Sequence, residues 1–186
     1  MLRPSYPIIT DRLILRPFTE DDLDALHAYQ GLPEVTRYLY WDPRDRAATA
    51  EALKRRMSMP ALEREGDVLV LAVLLRDTGD LIGDVNLAWL SEPNKQGEFG
   101  FVFNPEFHGR GYAQEAAVEM LRLGFEGLGL HRIIGRCDGR NEASARLMGK
   151  LGMRREAHFV QNEIVKGEWT DEVVFAMLSE EWSARR

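Results

Sequence analysis

The stretch from Glu98 to Asp138 constrains the fold of this chain more than any other. It predicts a strand over 98–104, a loop that contains two glycines, a helix over 111–128 and a second strand over 130–138. Strands joined through a helix lie parallel in one sheet, because a parallel connection needs a crossover of about a dozen residues or more. We therefore expect these two strands to be parallel neighbours.

The remaining segments predict a sheet whose other strands are mostly antiparallel. The apolar run 67–75 and the strand 81–90 flank a polar turn and form a hairpin. Thr19 to Asp22 matches a capping box at a helix start, and Asp42-Pro43 matches a second start. We predict an α+β fold in one domain, 1–186, with helices on both faces of the sheet. The other expected elements are a first strand over 8–18, a helix over 141–151 capped by Asn141, and last strands over 153–160 and 168–178.

The composition excludes several classes of protein. The 186 residues are 45% hydrophobic and 29% charged, with a net charge of −6, which suits a folded domain and lacks the basic footprint of nucleic-acid binders. The longest apolar run, 68–75, is far shorter than the roughly 20 residues of a membrane-spanning helix. Cys137 is the single cysteine, which excludes an internal disulfide and a cysteine-rich zinc site. We expect a cytoplasmic protein without a metal ion, a membrane or a nucleic acid as partner.

The loop from His108 to Ala113 carries the strongest chemical signal. Gly109 and Gly111 flank Arg110 directly before the predicted helix. Glycine lets the backbone approach a ligand closely and adopt positive φ, and a helix N-terminus attracts anions. The loop favours a phosphate binder, with a diphosphate as the natural size, although its spacing matches neither a P-loop nor a Gly-x-Gly-x-x-Gly motif. From the glycines alone, a tight turn without a ligand is the alternative.

Four segments in chain order resemble the GCN5-related N-acetyltransferases (GNAT). His108–Ala113 resembles their Gln/Arg-x-x-Gly-x-Gly/Ala pyrophosphate loop. Asn141–Ser144 followed by Lys150–Met153 resembles their Asn-x-x-Ser…Lys-Leu-Gly-Phe segment. Thr10–Arg16 and Gly167–Asp171 resemble the opening and closing strands of the RimJ/RimL-like branch, the ribosomal-protein N-terminal acetyltransferases. Each match alone is unspecific, and the ordered set is specific.

The resemblance implies a GNAT fold that binds acetyl-CoA. Its central sheet would have seven strands, flanked by about four helices, and would splay between the fourth and fifth strands, here 98–104 and 130–138. The pantetheine arm would enter that gap like a further strand, and the N–H groups of the glycine loop would hold the pyrophosphate. The acetyl-CoA-binding residues implied in this way are Phe101, Val102, Phe103, His108, Gly109, Arg110, Gly111, Tyr112, Ala113 and Asn141.

The same resemblance implies direct transfer of the acetyl group to a neutral primary amine. Glu98, at the start of the splayed strand, is the expected base, and Glu163, predicted in the loop between the last two strands, is a weaker candidate. Asn141 would cap its helix and also bond the pantetheine arm or a nearby carbonyl. Many relatives protonate the leaving thiolate with a Tyr seven residues after this Asn, and here Met148 stands at that position. Ser144 is the expected alternative donor.

Other interpretations of these residues stay open. Glu98 also fits a solvated strand end, Ser144 a hydrogen bond within its helix turn, and His108 a filler of the loop. Cys137 is expected in the core rather than as a nucleophile, and among the tryptophans Trp169 is assigned to the acceptor pocket by its motif. The acceptor would be a protein N-terminus or a small amine. The alternatives are an acyl-CoA sensor with little catalysis and a transferase that uses another acyl group, such as succinyl; a homodimer is expected from the resemblance alone.

Overall fold

One eight-stranded sheet forms the frame of the protein, and a computed structural model describes residues 1–185. The strands are β1 (Ile8–Ile9), β2 (Leu13–Arg16), β3 (Val68–Leu75), β4 (Leu81–Ser91), β5 (Gln96–Phe103), β6 (Arg132–Asp138), β7 (Arg154–Val165) and β8 (Glu168–Leu178). The helices are α1 (Leu23–Gln30), α2 (Pro33–Thr36), α3 (Arg46–Met57), α4 (Tyr112–Arg122), α5 (Glu142–Lys150) and α6 (Ser179–Ser183). None of the helices within residues 1–185 is both long and apolar enough to cross a bilayer.

The sheet is mixed, as predicted, and a single parallel contact lies at its centre. The strand order is β1-β2-β3-β4-β5-β6-β8-β7, and every neighbouring pair is antiparallel except β5 with β6. The crossover between β5 and β6 contains α4. The prediction that these two strands are parallel neighbours is confirmed.

The part of the chain that the structure describes forms eight strands rather than seven, because the predicted strand 8–18 folds back on itself. The Thr10 N–H donates to the Leu13 carbonyl at 3.0 Å, and the Thr10 hydroxyl accepts from the Leu13 N–H at 3.0 Å. This turn divides the segment into β1 and β2, which pair antiparallel. The polar triplet 10–12 marks this turn, and the prediction of one strand runs through it because apolar residues continue on both sides.

The described residues 1–185 form six α-helices rather than about four, and two boundaries differ from the prediction. The capping box is confirmed, since Asp22 accepts from the Thr19 N–H at 2.8 Å, although the first turn, Glu20–Asp22, is 3₁₀. The predicted start at Asp42-Pro43 is wrong: α3 begins at Arg46, where the Asp45 carboxylate accepts from the Ala48 N–H. The helix therefore starts after the N-cap Asp45 rather than at Asp42-Pro43, although both patterns are typical of a helix start.

The longer helix and the last hairpin also depart from expectation. The predicted helix 111–128 is α4 followed by a π-helical segment, Leu123–Gly127. Strand β7 extends to Val165 through two register irregularities, so Glu163 lies within a strand rather than in the predicted loop. The tight turn after Val165 brings β8 back along β7.

Each face of the sheet carries its own apolar layer. Successive side chains of β5 point to opposite faces of the sheet. Phe99 and Phe103 pack in the layer that includes α4, and Val102 packs against the layer that includes α1 and α3. A ligand that enters the sheet between strands is therefore covered from both sides.

The sheet opens between β5 and β6. Only three residue pairs join the two strands, ending at Glu98 with Ile134. The Met148 side chain fills the space beside Gly135, where an added Cβ would lie 2.6 Å from the Met148 Sδ and 2.8 Å from the Phe99 ring. Beyond this point β5 runs toward the glycine loop while β6 stays with β8, which leaves one edge of β5 unpaired.

Candidate active site

The gap between β5 and β6 leads into a cavity of about 860 Å³. Every predicted site residue lines it except Arg110, whose guanidinium lies over the Phe107 ring, 5.8 Å from the centroid. Trp41 lines the cavity, whereas Trp169 is 60% exposed and does not line it, so the role of Trp169 in an acceptor pocket stays a prediction. The predicted residues that line the cavity are Glu98, Phe101, Val102, Phe103, His108, Gly109, Gly111, Tyr112, Ala113, Asn141 and Ser144.

The glycine loop forms an open cradle at one end of the cavity. Gly109 and Gly111 have φ of +77° and +82°, a region that side chains rarely adopt, and Gly111 is the N-cap of α4. An added Cβ at Gly109 would meet nothing within 4 Å, so conformation rather than space requires glycine there. The first N–H groups of α4 lack partners within the helix and point into this cradle, which suits a phosphate group.

Arg12 supports the loop from behind, and the sequence analysis did not identify it. Its Nη1 donates to the Arg110 carbonyl at 2.9 Å, and its guanidinium lies over the Tyr112 ring. Its Nε donates to Glu115 at 2.7 Å. Burial raises the pKa of Glu115, but the hydrogen bonds from Thr10 and Arg12 outweigh it, so the pKa lies below its ordinary value.

His108 closes the loop onto the end of β5. Its Nε2 lies 3.1 Å from the Phe103 carbonyl and donates to it. This hydrogen bond within the protein fits the loop-filler interpretation, and because the ring also lines the cavity, its contact with acetyl-CoA stays a prediction.

The unpaired edge of β5 presents alternate residues to the gap. The Asn104 N–H donates to the Ile82 carbonyl of the β4 side, and the Lys95 carbonyl accepts from His131 on the β6 side. Backbone N–H and C=O groups alternate in direction along a strand. The backbone groups of Val102 therefore face β4, where Val102 pairs with Asp84, and those of Phe101 and Phe103 face the gap. A ladder of this kind can accept an extended amide chain in the place of a strand.

The start of α5 borders the opposite wall of the gap. The Asn141 Oδ1 accepts from the Ser144 N–H at 3.1 Å, which confirms the predicted cap. Within residues 1–185 the Ser144 hydroxyl has no hydrogen-bond partner, and it lines the cavity. Met148 is 1% exposed and packs in the core. Burial raises the pKa of the Cys137 thiol to about 11, which does not suit a nucleophile.

Glu98, Glu163 and Arg136 line the cavity at the far end from the cradle, and the buried carboxylate of Glu172 contacts Arg136. We call Glu98, Glu163 and Glu172 the acidic wall. Arg136 contacts Glu98 at 3.1 Å and Glu172 at 3.4 Å. Burial, and then the charges of Glu163 and Glu98, raise the pKa of Glu172 against the opposing effect of Arg136. The sequence analysis missed Arg136 and Glu172, although Arg136 follows Ile134, the register partner of Glu98, by two residues.

The segment 33–42, which we call the strap, crosses from α2 to the β7–β8 hairpin. The Tyr40 hydroxyl donates to Glu163 at 2.8 Å. Lys166 donates to the Thr36 carbonyl at 2.7 Å and lies 3.6 Å from Asp42. Burial and the Glu163 hydrogen bond raise the pKa of Tyr40 to about 12, so Tyr40 stays a donor at neutral pH.

Comparison with known proteins agrees with this geometry. The family model described as an acetyltransferase (GNAT) domain matches residues 12–154. The chain belongs to the GNAT acetyltransferase family. The N-acetyltransferase YnaD of Bacillus subtilis is 38% identical over 179 residues, covering 95% of this chain and 99% of YnaD. A GNAT-family acetyltransferase structure from Bacillus anthracis is 32% identical with a TM-score of 0.84, covering 94% of this chain and 99% of that one.

More distant GNAT relatives differ in what they acetylate. Spermidine N(1)-acetyltransferase of Escherichia coli is 23% identical over 91% of this chain and 88% of its own length. The ribosomal protein uS5 alanine N-acetyltransferase of the same species is 23% identical over 98% of this chain and 96% of its own. The GNAT fold uses acetyl-CoA, and the cradle, the unpaired β5 edge and the gap suit its pyrophosphate and pantetheine. Among residues 1–185, no group of three or more His, Cys, Asp or Glu side chains is placed to hold a metal ion.

Proposed function

We propose that this GNAT enzyme transfers the acetyl group of acetyl-CoA directly to a primary amine of a positively charged acceptor. The observation that carries this proposal is the acidic wall at the end of the cavity away from the glycine cradle. Glu98 and Glu172 contact the Arg136 guanidinium, and the charges of Glu163 and Glu98 act on Glu172. Such a surface attracts ammonium groups and disfavours anionic acceptors.

The donor half of the site is proposed to act through backbone groups. The first N–H groups of α4 would hold the pyrophosphate, and the Phe101 and Phe103 backbone would pair with the pantetheine amides. Acetyl-CoA, when bound, supplies an acyl thioester. A backbone N–H of β5 that faces the gap is positioned to donate to the thioester oxygen as negative charge develops on it.

We propose that the acceptor half of the site holds the amine in place and removes a proton from it. An α-amino group has a pKa of about 7.7–8.0, whereas a lysine-type amine has a pKa of about 10.4. The lysine-type amine therefore depends more strongly on a base to become neutral. Glu98 is the proposed base. Arg136 contacts both of its carboxylate oxygens, yet a carboxylate has about four acceptor positions and keeps room for the amine. Ser144, whose hydroxyl has no partner within residues 1–185, is the proposed donor to the departing sulfur.

A matched panel of acceptors tests the proposal through the release of free CoA thiol. The panel contains a diamine, a polyamine, a monoamine of similar length, an amino acid, and peptides with free N-termini. We expect the highest kcat/KM for acceptors with a second positive charge, roughly tenfold above the monoamine, and a fall of this ratio at high salt. Equal or better turnover of the monoamine or of the amino acid would overturn the proposed acceptor class.

Calorimetry with acetyl-CoA, CoA and succinyl-CoA separates the alternatives. Binding of acetyl-CoA without turnover of any amine would contradict catalysis and favour the acyl-CoA sensor. Faster turnover with succinyl-CoA would contradict the proposed donor. A preference for peptide N-termini would instead place the chain functionally with the RimJ/RimL-like branch, which stays a prediction.

A further inference from the structure

The β7–β8 hairpin pairs its two strands in two different registers. Pairs on the inner side of the hairpin follow one register, and pairs near its turn, such as Glu163 with Thr170, follow another that is displaced by two residues. The change occurs at residues 160–162 of β7, which we call the bulge and which lie opposite Asp171 alone. Extra residues of this kind interrupt a ladder and redirect the strand that follows them.

The tight turn of the hairpin sets the register near it. Lys166 and Gly167 have φ of +52° and +82°, and a two-residue type I′ turn requires positive φ at both positions. If the inner register continued to the turn, Glu163 would lie opposite Glu168 instead of Thr170, which is a displacement of about 7 Å along the strand. The bulge therefore determines where along the hairpin the Glu163 carboxylate lies.

The Asp171 carboxylate holds the bulge with both of its oxygens. Oδ1 accepts from the Gln161 N–H at 2.9 Å, and Oδ2 accepts from the His158 Nε2 at 2.7 Å. Gln161 has φ of +48°, which is uncommon for a residue with a side chain, and it has no register partner in β8. The same two hydrogen bonds lower the pKa of Asp171, so its carboxyl is ionised at neutral pH. The Asp171 carbonyl accepts from the Gly139 N–H at 2.8 Å, which ties this part of the hairpin to the end of β6.

With the bulge in place, Glu163 is held where it lines the active-site cavity. Its carbonyl accepts from the Thr170 hydroxyl at 3.3 Å, and its carboxylate accepts from the Tyr40 hydroxyl at 2.8 Å. Asp171 itself does not line the cavity. We propose that Asp171 is a positioning residue, which fixes the register of Glu163 through the bulge and so determines the preference of the acidic wall for acceptors with a second positive charge. This inference rests on the proposed function, which places the acceptor at the acidic wall.

The first measurement tests the register without any substrate. By NMR, wild-type protein should show a cross-strand backbone contact between Glu163 and Thr170, and Asp171→Ala should lose it. Asp171→Asn should keep the contact, because its side-chain oxygen still accepts from the Gln161 N–H. The control is Asn162→Ala, which changes a bulge side chain that has no hydrogen-bond partner within residues 1–185. An intact contact in Asp171→Ala would overturn the inference.

The second measurement compares kcat/KM for a diamine with kcat/KM for a monoamine of similar length. In Asp171→Ala this ratio should fall by about threefold to tenfold, mainly through a higher KM for the diamine. The kcat with the monoamine and the affinity for acetyl-CoA should stay unchanged. Asp171→Asn should keep the ratio. An equal loss of the ratio in Asp171→Asn, with its register intact, would show that the charge of Asp171 acts directly on the acceptor and would overturn the positioning role.

A deletion variant separates the bulge from every other effect of Asp171. Removing Val160 and Gln161 leaves one register throughout, with Glu163 still opposite Thr170. In this background Asp171→Ala should change neither the register contact nor the ratio, and a further fall in the ratio would contradict the inference. If wild-type protein shows no preference for the diamine while Asp171→Ala still loses the contact, the proposed acceptor class fails and the positioning of Glu163 stands. Thermal melting of each variant shows that a lost ratio does not come from unfolding.

Discussion

The two halves of the cleft differ in what lines them. The proposed donor half presents backbone groups: the N–H groups at the start of α4 and the unpaired edge of β5. The proposed acceptor half presents side chains from distant parts of the chain: the Tyr40 hydroxyl meets Glu163, 123 residues away, and the Lys166 ammonium meets the backbone carbonyl of Thr36, 130 residues away. The first half is fixed by the fold, whereas the second can change by single substitutions. One scaffold of this kind can therefore keep one donor and exchange acceptors.

The largest expected effect breaks the donor half at its glycine cradle. Gly111→Val forces a β-branched residue to φ of +82° and brings its Cβ within 3.4 Å of Arg12, at a strain cost of about 1–3 kcal/mol. We expect acetyl-CoA affinity to fall by about 100-fold, which is about 2.7 kcal/mol, as measured by calorimetry. Gly149→Ala is the control, because Gly149 is helical with nothing within 4 Å of an added Cβ. Unchanged affinity in Gly111→Val would show that the cradle does not hold the donor.

The second effect concerns the charge balance of the acidic wall. Arg136→Met leaves Glu172, whose side chain is 7% exposed, without its cation, and we expect a loss of about 1–2 kcal/mol of unfolding free energy near pH 8. Exposed Lys54→Met, which breaks an exposed ion pair, should change stability by less than about 0.5 kcal/mol.

The pH dependence of the Arg136→Met loss follows from Glu172. A raised pKa means that the native state holds the proton more tightly than the unfolded chain, so stability is present at low pH and is lost as pH rises through the native pKa. Removing Arg136 raises this pKa further. Urea unfolding should therefore show a smaller loss at pH 5 than at pH 8, and an equal loss at both would contradict the ionisation argument.

A smaller effect separates the two halves functionally. Tyr40→Phe removes the hydrogen bond to Glu163, worth about 0.5–1.5 kcal/mol, and should raise the KM for the acceptor about threefold to tenfold without changing acetyl-CoA affinity. Tyr38→Phe is the matched control, since Tyr38 lines the same cavity and its hydroxyl has no hydrogen-bond partner within residues 1–185. Equal effects of both variants on KM would mean that the hydrogen bond from Tyr40 to Glu163 does not set acceptor binding.

The smallest expected effect concerns the leaving group. A thiol with a pKa of about 8.5 leaves with little assistance, so Ser144→Ala should lower kcat by only about threefold. The cap should survive, because Asn141 accepts from the backbone N–H of Ser144. Ser183→Ala, in α6, serves as the control in steady-state kinetics and thermal melting. A loss in stability that matches the loss in kcat would refute the role of Ser144 as a donor.

The same contrast explains which parts of the molecule the sequence predicts. The glycine loop, the Asn141 cap and the parallel pair β5–β6 depend on neighbouring residues and are readable from short motifs. Arg136 with Glu172 and Tyr40 with Glu163 depend on register and on a long loop, which composition and spacing do not encode. The division of the first predicted strand into β1 and β2 depends on hydrogen bonds of Thr10, at the polar triplet 10–12 that the predicted strand includes.

The three-pair junction between β5 and β6 has a mechanical consequence. It makes the sheet two leaves, β1–β5 and β6–β8, which are joined across a short parallel seam. A ligand that hydrogen-bonds along the free edge of β5 extends that seam, so it stiffens the leaves against each other as well as occupying a pocket. We expect amide hydrogen exchange at Phe101 and Phe103 to slow when such a ligand lengthens the seam, so exchange there reports the rigidity of the sheet.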